Sequence, residues 1–144
     1  MPWEYLEDGV TSDVTFRAWG RDLDELFTAA ADATAGTMVE DPAGTIEAAV
    51  RLPITTEGPA LDLLLMRFLD EMIFYKDARG LILRAGNVRV AGAGNRYTVE
   101  AELYGEPIDP AKHALAADVK AVTLCGLRVE HADSGWQAQV TLDV

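Results

Sequence analysis

Cysteine is almost missing from this chain: Cys125 stands alone among 144 residues. An internal disulfide is therefore excluded, and a reducing cytoplasm is the expected location. Cys125 lies in an apolar stretch, which predicts a small buried hydrophobe rather than a nucleophile. Bases are scarce as well, 12 Lys and Arg against 24 Asp and Glu, for a formal net charge of −12. Surfaces that grip phosphate backbones are basic, so no strong direct nucleic-acid binding is expected. The acidity instead suits a partner protein with a basic surface, or a cation. Long apolar runs are lacking too. No stretch approaches the roughly 20 residues of a membrane span. Met1-Pro2-Trp3-Glu4-Tyr5 shows neither the basic region nor the apolar stretch of a signal peptide, so neither a leader nor a membrane partner is expected. With two histidines and one cysteine, no Cys/His metal cluster can be assembled. Neither a Ser-His-Asp set nor a phosphate loop has the required pattern.

What remains is a chain that is 49% hydrophobic, enough for one core in a single domain over residues 1–144. Trp3 to Leu6 reads as a short strand, followed by a turn at Glu7-Asp8-Gly9. From Ser12 the chain alternates. Val14, Phe16 and Ala18 fall on one face, and Asp13, Thr15, Arg17 and Trp19 on the other. Asp22-Leu23-Asp24-Glu25 carries a capping-box pattern, and apolar residues recur at helical spacing from Leu23 to Val39. Ile46, Ala48, Val50, Leu52 and Ile54 predict a strand. Pro59 is placed for a first helical turn, and Leu61 to Ile73 give a second helix, ending near Asp77. Four strands follow: Leu81–Ala91, Arg96–Tyr104, Val119–Glu130 and Trp136–Asp143. A Gly92-Ala93-Gly94-Asn95 turn, a proline-bearing loop and a turn at residues 132–135 connect them. The pattern predicts an α+β fold, a two-layer sandwich of two helices on an antiparallel-rich sheet.

Chemistry is sparse along this framework. Asp13 and Asp143 each fall on a polar strand face near a strand end, and Asp143 precedes only Val144. Two readings are open. Both acids are solvated strand ends, or neighbouring strands gather them with the chain's terminal carboxylate. Gathered carboxylates repel unless a cation neutralises them, and an all-oxygen set selects Ca²⁺ or Mg²⁺ over Zn²⁺. Lys120 interrupts an apolar stretch and reads either as a solvated lysine or as a group for a carboxylate or partner anion. His113 is expected to hydrogen-bond backbone in its loop, and His131 to be solvated beside a turn. Met38 and Trp136 read as core, whereas Trp19 points outward.

These residues lie in a pattern that resembles the archease family. The likeness is carried by Gly105-Glu106-Pro107-Ile108-Asp109-Pro110, His113, Val119-Lys120-Ala121-Val122-Thr123, Gly126-Leu127 and the closing Trp136 to Val144. Thr11-Ser12-Asp13-Val14, Ala18-Trp19-Gly20 and the Leu23 to Phe27 segment extend it to essentially the whole chain. The resemblance implies a non-catalytic cytoplasmic activator of an RtcB-type RNA ligase, promoting guanylylation and multiple turnover in tRNA splicing and RNA repair. It further implies a divalent-cation site, most simply for Ca²⁺, at Asp13, Asp143 and the Val144 carboxylate. Lys120, Asp13 and Asp143 would serve partner activation, with GTP and the catalytic metal belonging to the ligase. A chaperone-like modulator of a tRNA methyltransferase is the alternative role the resemblance suggests. A metal-dependent hydrolase is disfavoured because only acids and Lys120 are at hand. Val10, Thr15 and Leu124-Cys125 depart from the family's usual His, Gly and Tyr-His.

Overall fold

The computed structural model describes residues 2–6 and 13–144. The expected turn at Glu7-Asp8-Gly9, with Val10, Thr11 and Ser12, lies outside the described residues. The element order is β1 (Trp3–Leu6), β2 (Asp13–Gly20), α1 (Leu23–Met38), α2 (Pro42–Thr45), β3 (Val50–Gly58), α3 (Leu61–Arg79), β4 (Leu81–Ala93), β5 (Arg96–Pro107), β6 (Ala121–Ala132) and β7 (Gly135–Asp143). The α+β expectation holds. The single expected sheet is instead two antiparallel sheets, ordered β1-β2-β7-β6 and β3-β5-β4. Helix α1 packs on β2 and β4 and so joins them, while α3 packs on the three-stranded sheet and on β6.

Burial explains the arrangement. Phe16, Ala18, Ala138, Val140 and Leu142 form the inner face of the four-stranded sheet. Leu26, Phe27 and Ala30 of α1 and Leu64, Leu65 and Phe68 of α3 complete the core, with Phe27 and Phe68 in ring contact at 5.7 Å. Each such Leu or Phe contributes about 1.5–3 kcal/mol relative to an exposed side chain. Met38 is core, as expected.

Helix α1 starts where the sequence says, with Asp22 Oδ1 accepting from the Glu25 N–H at 2.8 Å. Glu25 does not close the capping box on Asp22. It takes the Arg21 N–H and the Arg21 guanidinium instead.

Three expectations need correction. Ile46 and Ala48 precede the strand, because Asp41-Pro42 opens the short helix α2 and Ile46 caps it. Strand β3 then begins at Val50, in the register fixed by pairing Val50 with Gly105 and Gly58 with Tyr97. Pro59 lies before α3 rather than in it, since the N-cap is Ala60. Cys125 is exposed, not buried. Strand β6 pairs Thr123 with Thr141 and Arg128 with Gln139, so Leu124 to Leu127 bulge out of the ladder on an edge strand. Gly126, at φ +67°, allows that turn. Leu124 is left 68% exposed.

Candidate functional site

Asp13 opens β2, Asp143 closes β7, and the two are direct partners across the β2–β7 ladder. Directly opposed side chains in an antiparallel pair stand with Cβ atoms about 4.5–5.5 Å apart, where like charges oppose pairing. Both acids are half-buried. On the far side of β7, Asp143 pairs with Ala121, and the Lys120 N–H donates to the Asp143 carbonyl at 2.8 Å. Lys120 is thus not inside a strand, as its apolar neighbours suggested, but on the residue that leads into β6. Its side chain is exposed and makes no ion pair among the described residues. Sequence reasoning therefore named three residues that the fold places at one end of one sheet.

Two further groups at this end were missed. Two residue pairs further along, Thr15 Oγ1 and Thr141 Oγ1 are hydrogen-bonded at 2.9 Å, both buried, and Thr123 pairs with Thr141 from the other side. This threonine row shares a face with the acids, since residues two apart on a strand do. Thr15, a departure from the family pattern, is thereby a structural hydroxyl. The second group is an ion cluster from α3. Lys76 Nζ bonds Asp77 at 2.8 Å and also Asp118, two residues before Lys120. The hydrogen bond from Lys76, then its charge, hold the Asp118 carboxyl below its usual range, and Lys120 adds to the effect. In sequence Lys76 was legible only as a basic residue in a helix's last turn.

The loop that delivers Lys120 is clamped. His113 is 1% exposed; its Nδ1 accepts from the Asp109 N–H at 2.9 Å, and its Nε2 faces Glu106 Oε2 at 3.2 Å. The neutral ring therefore carries its proton on Nε2, and the expectation of a backbone-bonded loop histidine holds. Glu106 also accepts from the Glu47 N–H and from Lys112 Nζ. These contacts, led by the Glu47 N–H, lower its pKa to about 2. Beyond His113, the Ala116 and Ala117 N–H groups bond to Met38 and Thr37, fastening the loop to the end of α1. His131, expected to be solvated, is exposed yet lies against the Trp136 ring at 3.7 Å between centroids. Trp136 is only partly buried, so it edges the core rather than filling it.

The donors at the strand ends are all oxygen, which suits a hard cation. Among the described residues no three His, Cys, Asp or Glu side chains gather in metal-binding geometry. Asp13 and Asp143 supply two carboxylates. No described helix is long and apolar enough to cross a membrane.

Fold and site together define a small α+β protein with a half-buried acid pair at one end of the four-stranded sheet, flanked by a lysine-bearing loop. The model of the archease protein family (MTH1598/TM1083) matches residues 3–144, and the chain belongs to that family. It is 34% identical to the archease of Pyrococcus furiosus over 143 residues, 99% of this chain and 98% of the other. The archease of Methanopyrus kandleri is 31% identical over 144 residues, covering both chains fully. The solution structure of Methanobacterium thermoautotrophicum protein 1598 superposes with a TM-score of 0.82 at 28% identity, covering 99% of each chain. The Thermotoga maritima crystal structure described as an archease, possible chaperone, shares the fold at a TM-score of 0.56 and 15% identity, covering 98% of this chain and 99% of the other.

Proposed function

We propose that this protein is a non-catalytic activator of an RtcB-type RNA ligase, promoting guanylylation of the ligase and its repeated turnover. Family membership supports an accessory role, and the ligase comes from the resemblance given above. The observation that carries the reading is the pairing of Asp13 with Asp143, with the Lys120 main chain bonded to Asp143. Opposed carboxylates are unfavourable by themselves, so a fold that pairs them gains from a cation between them. Asp13, Asp143 and the Val144 carboxylate would hold that cation, Ca²⁺ being the simplest fit to oxygen ligands. The bound cation would neutralise the acids and fix the strand ends. Lys120, free of ion pairs among the described residues, would meet an anionic group of the ligase complex. An acidic helper fits this role better than an RNA-binding one, since its charge of −12 disfavours phosphate backbones.

The test is guanylylation of a cognate RtcB-type ligase, with and without this protein, across a Ca²⁺ titration. Stimulation is expected from the wild type and not from Asp143→Ala or Lys120→Ala. Absence of stimulation by the wild type, or full stimulation by Asp143→Ala, refutes the mechanism. A chaperone-like role toward a tRNA methyltransferase, the alternative the resemblance suggests, is the second reading; the Thermotoga maritima protein is itself described as a possible chaperone. Recovery of a methyltransferase without a ligase in a pull-down from the native cell would support it.

A further inference from the structure

The segment that leads into Lys120 is held by its main chain. The Ala116 and Ala117 N–H groups bond the Met38 and Thr37 carbonyls, and the Lys120 N–H bonds the Asp143 carbonyl. Burial alternates along it: Val119 is fully buried, and Asp118 and Lys120 on either side are exposed. Asp118 and Lys120 therefore lie on the same outward side, two residues apart.

One side-chain contact is added to these bonds. Lys76 Nζ, in the last turn of α3, bonds Asp118 as well as Asp77. The backbone bonds and the Val119 side chain already place the segment, so this ion pair is not needed to hold it. The Lys76 side chain is only 8% exposed, whereas that of Asp118 is 72% exposed. A nearly buried ammonium demands counter-charge, and its packed stem has little rotamer freedom left to lose on pairing. Lys120 is exposed and gives up more freedom to reach the same carboxylate. Lys76 is thus the stronger claimant. The outcome is visible: Asp118 is bonded to Lys76, and Lys120 makes no ion pair among the described residues. Lys120 acts on Asp118 only through space, as the weakest influence on its carboxyl.

We propose that Lys76 is a positioning residue for Lys120: by taking Asp118 it leaves the Lys120 ammonium unpaired for an anionic group of the partner. Without Lys76, an acid two residues away is free to pair with Lys120. The partner's part in this rests on the activator reading; the pairing state of Lys120 does not.

The experiment compares wild type with Lys76→Met, which keeps an apolar stem and removes the charge, and with the double variant Lys76→Met/Asp118→Asn. Zero-length carbodiimide coupling joins an ammonium to a carboxylate in contact with it. The Asp118–Lys120 amide appears in mass spectrometry as a tryptic peptide that has lost water and resists cleavage after Lys120. It should form about two- to fivefold faster in Lys76→Met than in the wild type, the scale of an exposed ion pair. Asp77→Asn, which leaves Asp118 held, should couple as the wild type does. In guanylylation of a cognate RtcB-type ligase, Lys76→Met should stimulate about two- to fivefold less than the wild type. The double variant should recover most of that loss, whereas a mere loss of packing would leave both variants equally weak. The proposal is overturned if coupling in Lys76→Met stays at the wild-type rate, or rises as much in Asp77→Asn. It is overturned equally if Lys76→Met stimulates as fully as the wild type, or the double variant no better than the single one. Absence of stimulation by the wild type refutes the activator reading instead, and the coupling rates then decide the pairing of Lys120 by themselves.

Discussion

Glu106 accepts three hydrogen bonds, from the Glu47 N–H, Lys112 Nζ and His113 Nε2. Its pKa of about 2 lies below the ordinary 4.5. The folded state therefore prefers the charged carboxylate. The stabilisation is complete above the ordinary value and is lost as pH falls from about 4.5 toward 2. Urea midpoints measured across that window should fall for the wild type and stay flatter for Glu106→Gln; parallel curves would remove Glu106 from the acid sensitivity. His113→Ala deletes a buried ring that both accepts and donates, leaving the Asp109 N–H unanswered. A loss of about 2–3 kcal/mol is expected in urea unfolding. Because the loop that ends in Lys120 runs from this clamp, the same variant should also blunt ligase stimulation more than Lys112→Ala does.

At the scale of the element, β5 leaves no room for a side chain against β4 at Gly105. A Cβ there would overlap the Ile82 carbonyl oxygen, which is backbone and cannot swing aside. Gly105→Ala should therefore cost more than about 2 kcal/mol or shift the β4–β5 register, as overpacking does. A stability within experimental error of wild type would show that the strands part cheaply. The elements were unevenly legible. Alternation located β1, β2 and β7 and periodicity located α1, because each side chain's burial is set by its own strand or helix. The four-residue offset of β3 was not legible, because Ile46 and Ala48 continue the alternation into a segment that Asp41 turns into α2. The bulge at Leu124 to Leu127 escaped for the same kind of reason. Its apolar residues look like strand core, and only the pairing with β7 reveals that they are skipped.

At the scale of the whole molecule, the charge of −12 must be accommodated somewhere. The Asp13–Asp143 pair gathers two of those charges at one end of one sheet. If the Val144 carboxylate completes the proposed cation site, a short Gly-Ser extension after Val144 should weaken Ca²⁺ binding about tenfold with both aspartates intact. Calorimetric titration reads this directly, and unchanged affinity would leave the site to the two side chains. Added charge repulsion in the Ca²⁺-free protein predicts a higher thermal midpoint on Ca²⁺ addition for the wild type, and a smaller rise for Asp143→Asn.

The sequence by itself determined the α+β class, the outward face of Asp13, Thr15 and Trp19, and the candidate roles of Asp13, Asp143 and Lys120. These follow from local periodicity and from motif likeness, which need no knowledge of partners. Only the tertiary structure decided that Asp13 faces Asp143 and that Lys120 is tied to Asp143 through its main chain. Those facts depend on strand order and register between residues as much as 130 apart, counting from Asp13 to Asp143. Register is set by the sum of burial over whole elements, and no local pattern carries that sum.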